Sequence, residues 1–441
     1  MRVKGRVEER KGGIMVERTA RGVGKRVAAG LVAGSLLVAG LATSGRAAVS
    51  RDADPAVIRD WNATAVATIV VDAGKANAEA FLWFGFVQAA VYNAVVGITR
   101  EYELYEWNKR GPRSASPEAA AAAAAHTLLL HYFPGSEGRL DTQLAASLSG
   151  IADGSAKQQG IAYGEAAAER IIALRVDDGR NAAITFDQAP APGVWRPTPP
   201  ANAPFFAPWL GQVEPLLMTS PSQFRPGPQP AMTSARYTQD FDEVKVMGQK
   251  VGSPRTALQT ETALFFTDAG LAPFQEAFRD LTARRDIDIS DTARLFAAVD
   301  MGVADAFIAV WEAKYHYGFW RPITAIPLAD TDGNPDTVED PSWEPLVVTP
   351  PYPDYPSGLT ANVGAVSGSL GRLLGGGRVD LNVTSTAAGV TRHYGSASEL
   401  NRDAIDARVW SGIHFRTADE VGNMMGMQIA DWGLDHYFRP A

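Results

Sequence analysis

Alternation of apolar and polar residues at the two-residue period of a strand is scarce in this 441-residue chain, while long apolar runs free of proline recur. A chain written this way folds as helices. No proline falls between Pro55 and Pro112, and the Ala- and Val-rich text from Ala56 to Gly97 carries Trp61, Phe81, Phe84, Phe86 and Tyr92, which predicts two buried helices. Ser116-Pro117-Glu118 opens a third, with Pro at its first position, running to His131 before Pro134 and Gly135 close it. Further helices are expected from Arg139 to Ala152 and from Ala156 to Val176. After the break they are expected from Ser234 to Lys250, Arg255 to Ala269, Leu271 to Thr282 and Ser290 to Trp320. The last of these stops before Arg321-Pro322, because Pro disfavours helical geometry in the residue preceding it.

The break itself, 188–230, is dense in proline with Trp195, Phe205, Phe206 and Trp209 interleaved. A solvated linker has no use for so many aromatics, so the segment is expected to wrap over the helices and line a cavity; an extended tie between two bundles fits the same text. The fold class is therefore all-α: a first helical bundle over 55–180, the wrapping segment, and a second bundle over 234–441, joined by long Pro-rich connections such as 327–356.

Composition sets limits on partners. With 46% hydrophobic and 20% charged residues the chain has a real core, and a net charge of −8 argues against a nucleic-acid footprint while leaving room for a local cationic pocket. There is no cysteine, which excludes disulfides, thiolate metal sites and cysteine nucleophiles. A basic run from Arg18 to Arg26 precedes a small-residue apolar stretch from Val27 to Ala42 and then Ser44-Gly45-Arg46-Ala47-Ala48. Residues 1–48 thus read as a secretory signal cleaved near Ala48, with Met15 as an alternative start; the apolar part is short for a stable membrane span. A disordered tail is compatible with the same residues.

Chemistry concentrates in three places. Lys314 and Arg321 stand seven residues apart near a helix end, which on a continuous helix points both the same way, a point charge and a planar fork suited to one oxyanion. Two cations at a helix end also serve the dipole alone. Pro353-Asp354-Tyr355-Pro356-Ser357-Gly358 leads into another helix with Ser357 as N-cap, where free backbone N–H groups form an anion site and Gly358 lets a ligand approach. In Ala407-Arg408-Val409-Trp410-Ser411-Gly412-Ile413-His414, Gly412 is expected to break the chain so that Arg408 and His414 converge. Thr417 and Glu420 then read as a capping box starting the last helix near Ala418. Lys314, Arg321, Ser357, Gly358, Arg408 and His414 together make a phosphate-sized pocket with a His able to attack or coordinate its centre.

At these residues the chain resembles the vanadium-dependent haloperoxidase and type 2 phosphatidic acid phosphatase superfamily, whose pattern is a Lys and an Arg-Pro seven residues apart, then Pro-Ser-Gly-His, then an Arg six residues before a His. The matching positions are Lys314, Arg321-Pro322, Pro356-Ser357-Gly358, Arg408 and His414. The text around Trp311-Glu312-Ala313-Lys314 and Gly193-Val194-Trp195-Arg196-Pro197-Thr198-Pro199-Pro200 is similar to the bacterial chloroperoxidase-type branch. The resemblance implies two helical bundles, vanadate held by these cations, vanadium bound by His414, and a homodimer. Two positions depart from the pattern: Leu359 stands where the family has its acid/base His, and Ala418 stands where phosphatase-type members have an Asp orienting the pocket His, with Asp419 one residue later.

Leu cannot move a proton, so the expected function is a repurposed one. The resemblance extends to vanadate-independent rearrangement enzymes of actinobacterial meroterpenoid pathways, and what it implies as the favoured reading is a halogenation-independent α-hydroxyketone rearrangement, of isomerase type, on a prenylated hydroxynaphthoquinone precursor, with Lys314, Arg321 and Arg408 clamping carbonyl oxygens. Trp195, Phe205, Phe206, Trp320 and His316 would line the cavity for this flat aromatic or terpenoid substrate. The alternative is vanadate- and peroxide-dependent chloride or bromide oxidation, with His316 or His393 supplying the missing proton chemistry. Acid phosphatase and a non-enzymatic phosphate-binding protein rank lower. Phosphate, free or covalently held as phosphohistidine at His414, is a further possible occupant of the pocket, and no nucleic-acid partner is expected.

Overall fold

The structure, a computed structural model, describes residues 53–268 and 270–441. The signal-like segment and its cleavage site near Ala48 lie outside the described residues. Helix α1 (Ala56–Val66) runs through a π-helical turn (Ala67–Asp72) toward α2 (Asn77–Thr99). Helix α2 is apolar on every face and, although long enough to cross a membrane by length and composition, is wholly enclosed by protein. The first half continues with α3 (Pro117–Tyr132), α4 (Glu137–Ser149) and α5 (Ser155–Leu174). The start of α3 is set as expected: the Ser116 hydroxyl accepts from the Ala119 N–H at 3.0 Å and Pro117 occupies the first helical position.

The second half contains α6 (Ala235–Met247), α7 (Ala257–Asp268), α8 (Leu271–Arg284), the 29-residue α9 (Ile289–Tyr317), a one-turn α10 (Pro322–Ala325) and α11 (Gly358–Leu373). A hairpin of β1 (Arg378–Ser385) and β2 (Val390–Ser396) follows, then α12 (Ala397–Trp410) and α13 (Arg416–His436). The architecture is helical, and the two-stranded antiparallel sheet is the departure from the all-α expectation. Its signal was a short alternation, with Val379, Leu381 and Val383 buried and their neighbours outward.

The described residues form one compact unit. Helix α9 packs along α2 on one side and α11 on another, so one apolar core runs from Trp61 through Phe84 and Phe296 to Ile429. A smaller core of Tyr237, Phe241, Phe319, Trp320, Trp343, Tyr355 and Phe415 lies beside it.

The wrapping segment has no helix beyond a 3-10 turn (Pro208–Gln212), and backbone polar groups pin it in place. The Trp195 N–H donates to Gly318 O at 2.7 Å, the Trp320 N–H to Gly193 O at 3.0 Å, and the Phe206 N–H to Pro351 O at 2.9 Å. Further on, the N–H groups of Leu216, Leu217 and Met218 all donate to the buried Asp305 carboxylate at 2.7, 2.7 and 2.8 Å. These bonds give an irregular segment the satisfied backbone that burial demands.

Helices α11 and α13 approach at glycine distance. A Cβ on Gly426 would lie 2.0 Å from Ala361 O, and one on Gly422 would lie 2.3 Å from Ser357 O. This close crossing brings the two helix N-termini together, and the Ser357 N–H donates to Ala418 O at 2.9 Å.

Candidate oxyanion site

Four chain segments meet at these two N-termini. Lys314 comes from the last turn of α9, which ends at Tyr317 rather than running to Trp320, because Gly318 takes the left-handed conformation (φ 56°) and caps it. Arg321 therefore is not on that helix. It sits in extended backbone (φ −90°, ψ 157°) ahead of Pro322, held there by the ties from Phe319 and Trp320 to the wrapping segment. The two cations converge through the turn, and the seven-residue helical spacing is not what aligns them.

Arg408 lies in the last turn of α12, a helix the sequence reading did not assign. Gly412 does break the chain (φ 79°), and a Cβ there would meet Gly248 O at 2.5 Å. His414 follows in the turn into α13, which begins at Arg416 and not near Ala418. The expected capping box does not form: Thr417 is inside the helix, and Arg236 holds both the Thr417 hydroxyl (2.8 Å) and the Glu420 carboxylate (2.7 Å). Ser357 occupies the N-cap of α11 as expected, but its hydroxyl makes no cap bond.

All of these side chains are buried, Lys314, Arg321 and Ser357 completely and His414 and Arg408 nearly so. Two carboxyls that the sequence reading did not place in the pocket, Asp354 and Asp419, are fully buried with them. Lys314 Nζ donates to the carbonyls of Pro353 (2.6 Å) and Asp354 (2.9 Å). Arg321 donates from Nε to Tyr352 O (2.8 Å) and from Nη1 to Ile413 O (2.6 Å), and Arg408 donates from Nη1 to Phe266 O (3.2 Å). His414 Nδ1 lies 2.9 Å from Asp354 Oδ1.

Arg321 Nη1 is also 3.3 Å from His414 Nδ1 and 3.0 Å from Nε2. An atom at such similar distances from both ring nitrogens cannot lie in the ring plane without colliding with ring carbons. The guanidinium nitrogen therefore rests over the imidazole face.

Burial depresses the ammonium of Lys314 well below its ordinary value, and Arg321 beside it adds to the effect. Burial and then Arg321, Lys314 and Arg408 hold the His414 imidazole well below its ordinary value too, so the ring is neutral near pH 7. Desolvation also raises Asp419 well above the carboxylate range and pushes Asp354 up to about 7 against the pull of Arg321 and Lys314. Arg321 Nη2, Arg408 Nε, the Ser357 hydroxyl and both Asp419 oxygens have no hydrogen-bond partner among the described residues. Buried polar groups are normally satisfied, and uncommitted donors from three segments around one His match an oxyanion of phosphate or vanadate size. The first-turn N–H groups of α11, beginning at Gly358, have no acceptor within their own helix and face the same need. Tyr352 covers the cations, its ring centre 5.1 Å from Lys314 Nζ and 4.9 Å from Arg321 Cζ, and packs on Trp311 at 5.0 Å.

The expected cavity lining divides. Trp195 and Phe205 border a cavity of about 360 Å³ together with Phe186. Phe206 packs on the main core and accepts from Trp311 Nε1 at 3.0 Å through its carbonyl. Trp320 is fully buried in the smaller core, and His316 is exposed, its ring against Tyr317. His393 is likewise exposed, on β2 and bonded to Asn382, so neither His stands in the pocket. Leu359 is partly buried against the main core. Asp354 stood in sequence between two prolines ahead of α11, and Asp419 one residue past the position where phosphatase-type members have their orienting Asp, but neither was assigned to the pocket.

Fold and site together define a helical protein with a buried cage of cations and uncommitted donors around one His. The VCPO second helical-bundle domain matches residues 294–440, which contain every cage residue. The vanadium chloroperoxidase of Curvularia inaequalis is 25% identical over 344 residues, covering 58% of this chain and 56% of that protein; the chain thus spans about half the length of this curated relative. Among solved structures, one described as the first bacterial vanadium-dependent iodoperoxidase shares the fold with a TM-score of 0.74 at 23% identity, covering 87% of this chain and 97% of its own. A holo-type bacterial vanadium-dependent chloroperoxidase aligns with a TM-score of 0.64 at 18% identity, covering 89% and 94%. Through this domain match and the chloroperoxidase relative, the chain is similar to the vanadium haloperoxidase superfamily.

Proposed function

We propose that this protein catalyses an acid/base rearrangement of an α-hydroxyketone on a hydroxynaphthoquinone-type substrate, without an oxidant. One observation carries the reading: position 359 is an apolar residue packed on the core, while His414 keeps a neutral ring among the cations of the cage. The other five histidines are engaged or exposed elsewhere, as His126 with Asp141 and His436 on Trp432 illustrate.

In this reading His414 Nε2 takes the proton of the substrate hydroxyl. The migrating group moves with its bonding pair from the carbinol carbon to the adjacent carbonyl carbon, the former carbinol oxygen becomes a ketone, and the former carbonyl oxygen takes the proton back from His414. Substrate and product are isomers, so no electrons are gained or lost. The free donors of Arg321, Arg408 and Ser357 stabilise the oxygen on which charge develops, in a site already desolvated.

The same uncommitted donors favour a second reading, vanadate-dependent halide oxidation. Lys314, Arg321, Arg408, Ser357 and the Gly358 amide would hold vanadate oxygens and His414 the metal; vanadate would supply a Lewis-acidic centre for peroxide activation.

The test is incubation of the protein, stripped of vanadate and free of peroxide, with an α-hydroxyketone naphthoquinone. A product of unchanged mass and altered retention, lost in His414→Gln, is expected; absence of turnover with the substrate intact contradicts the proposal.

A further inference from the structure

We infer that Asp354 is the positioning residue of His414: it fixes the ring as the Nδ1–H tautomer and keeps the Nε2 lone pair for the chemistry of the cage. This rests on the proposed use of His414 and adds to it the group that makes Nε2 available.

The geometry is anchored from three sides. The Asp354 N–H donates to Phe319 O at 2.9 Å, its carbonyl accepts from Lys314 Nζ at 2.9 Å, and Lys314 also holds the preceding carbonyl, that of Pro353, at 2.6 Å. Two of the three ammonium donors of Lys314 are therefore engaged in fixing the backbone that carries Asp354. With that backbone set, Oδ1 meets His414 Nδ1 at 2.9 Å, both groups being shut off from solvent.

The proton's place on the ring follows from the neighbours. The side-chain atom the structure sets at hydrogen-bond distance from Nε2 is Arg321 Nη1, 3.0 Å away, which can only donate, whereas Nδ1 lies 2.9 Å from the Asp354 carboxyl oxygen; the ring proton is therefore placed on Nδ1. Where phosphatase-type relatives are expected to orient this His with an Asp four residues after it, this chain has Ala418. The orienting acid arrives instead from the segment feeding α11, four residues before the first residue of that helix. Lys314, Asp354 and His414 then form one rigid relay from α9 to the turn before α13.

The test is nitrogen NMR of the full protein labelled with ¹⁵N-histidine, with the His414 signals assigned by their loss in His414→Gln; there are six histidines in all. The wild type is expected to show a protonated, pyrrole-type Nδ1 and a pyridine-type Nε2. Asp354→Asn, whose amide oxygen still accepts, is expected to keep that pattern, and Asp354→Ala to lose it, with the proton moving wholly or partly to Nε2. A wild-type ring protonated at Nε2, or an Asp354→Ala spectrum identical to the wild type, overturns the inference; should the Ala variant not fold, the wild-type spectrum alone decides. No substrate is involved, so absence of rearrangement activity and absence of the tautomer are separate results.

Discussion

Asp354 and Asp300 are both fully buried acids, and their neighbours give them different roles. Asp354 stands beside two cations and a His, and their charge restrains the rise that burial imposes. Asp300, in the middle of α9, has only the Gln275 amide at 2.5 Å, and desolvation pushes it up to about 8 from an ordinary 3.8. Such an acid is neutral in the folded chain below about pH 8 but ionises in the unfolded chain above about pH 4. Between those values the unfolded state holds fewer protons, and stability falls as pH rises. Asp300→Asn removes that slope and keeps the acceptor for Gln275. The variant should gain on the wild type by about 3–4 kcal/mol between pH 5 and pH 8 in denaturant titrations, each pKa unit being worth roughly 1.4 kcal/mol. A difference that stays constant over that range contradicts the assignment. At this scale the sequence was most legible for the cations, because Lys314, Arg321, Ser357, Arg408 and His414 carry spacing that means something. Asp354 and Asp419 were hard to place, since an acid destined for burial among cations reads like any solvated one.

The elements matter by where they stop. Gly318 ends α9 three residues before Arg321, and that early stop, not helical periodicity, turns Arg321 back toward Lys314. The sequence reading took Pro322 as the terminator and overlooked the left-handed Gly ahead of it. It also took Thr417 and Glu420 for a capping box, which fails because Arg236 on α6 takes both side chains; a local signal was overridden by a partner distant in sequence. The glycine contact between α11 and α13 sets how near their N-termini lie. Gly422→Ala would press a methyl group to 2.3 Å from Ser357 O and 2.7 Å from Thr360 Oγ1, forcing the helices apart at the cage. A loss of about 1–3 kcal/mol in unfolding experiments is expected, as for other overpacked interiors, together with loss of turnover. An unchanged unfolding midpoint would show that the crossing is slack.

For the molecule as a whole, helical content and the proline-dense wrap were legible because both rest on period and composition. The continuity of the core was not, since α2 and α9 lie some 200 residues apart and no local pattern announces that they pack together. Nor was the hairpin, where the inward apolar residues of β1, Val379, Leu381 and Val383, are too few to stand out. What the assembled molecule adds to the motif is a buried cage of uncommitted donors, a His with Asp354 at its Nδ1, and the apolar Leu359 directly after Ser357-Gly358. The central claim is that Leu359 has taken the cage out of peroxide chemistry. It is tested most directly by assaying halogenation of a model phenol with vanadate, hydrogen peroxide and bromide, in the wild type and in Leu359→His. The account expects the wild type to be silent and Leu359→His to gain measurable halogenation; wild-type halogenation at or above the level of the variant would contradict it.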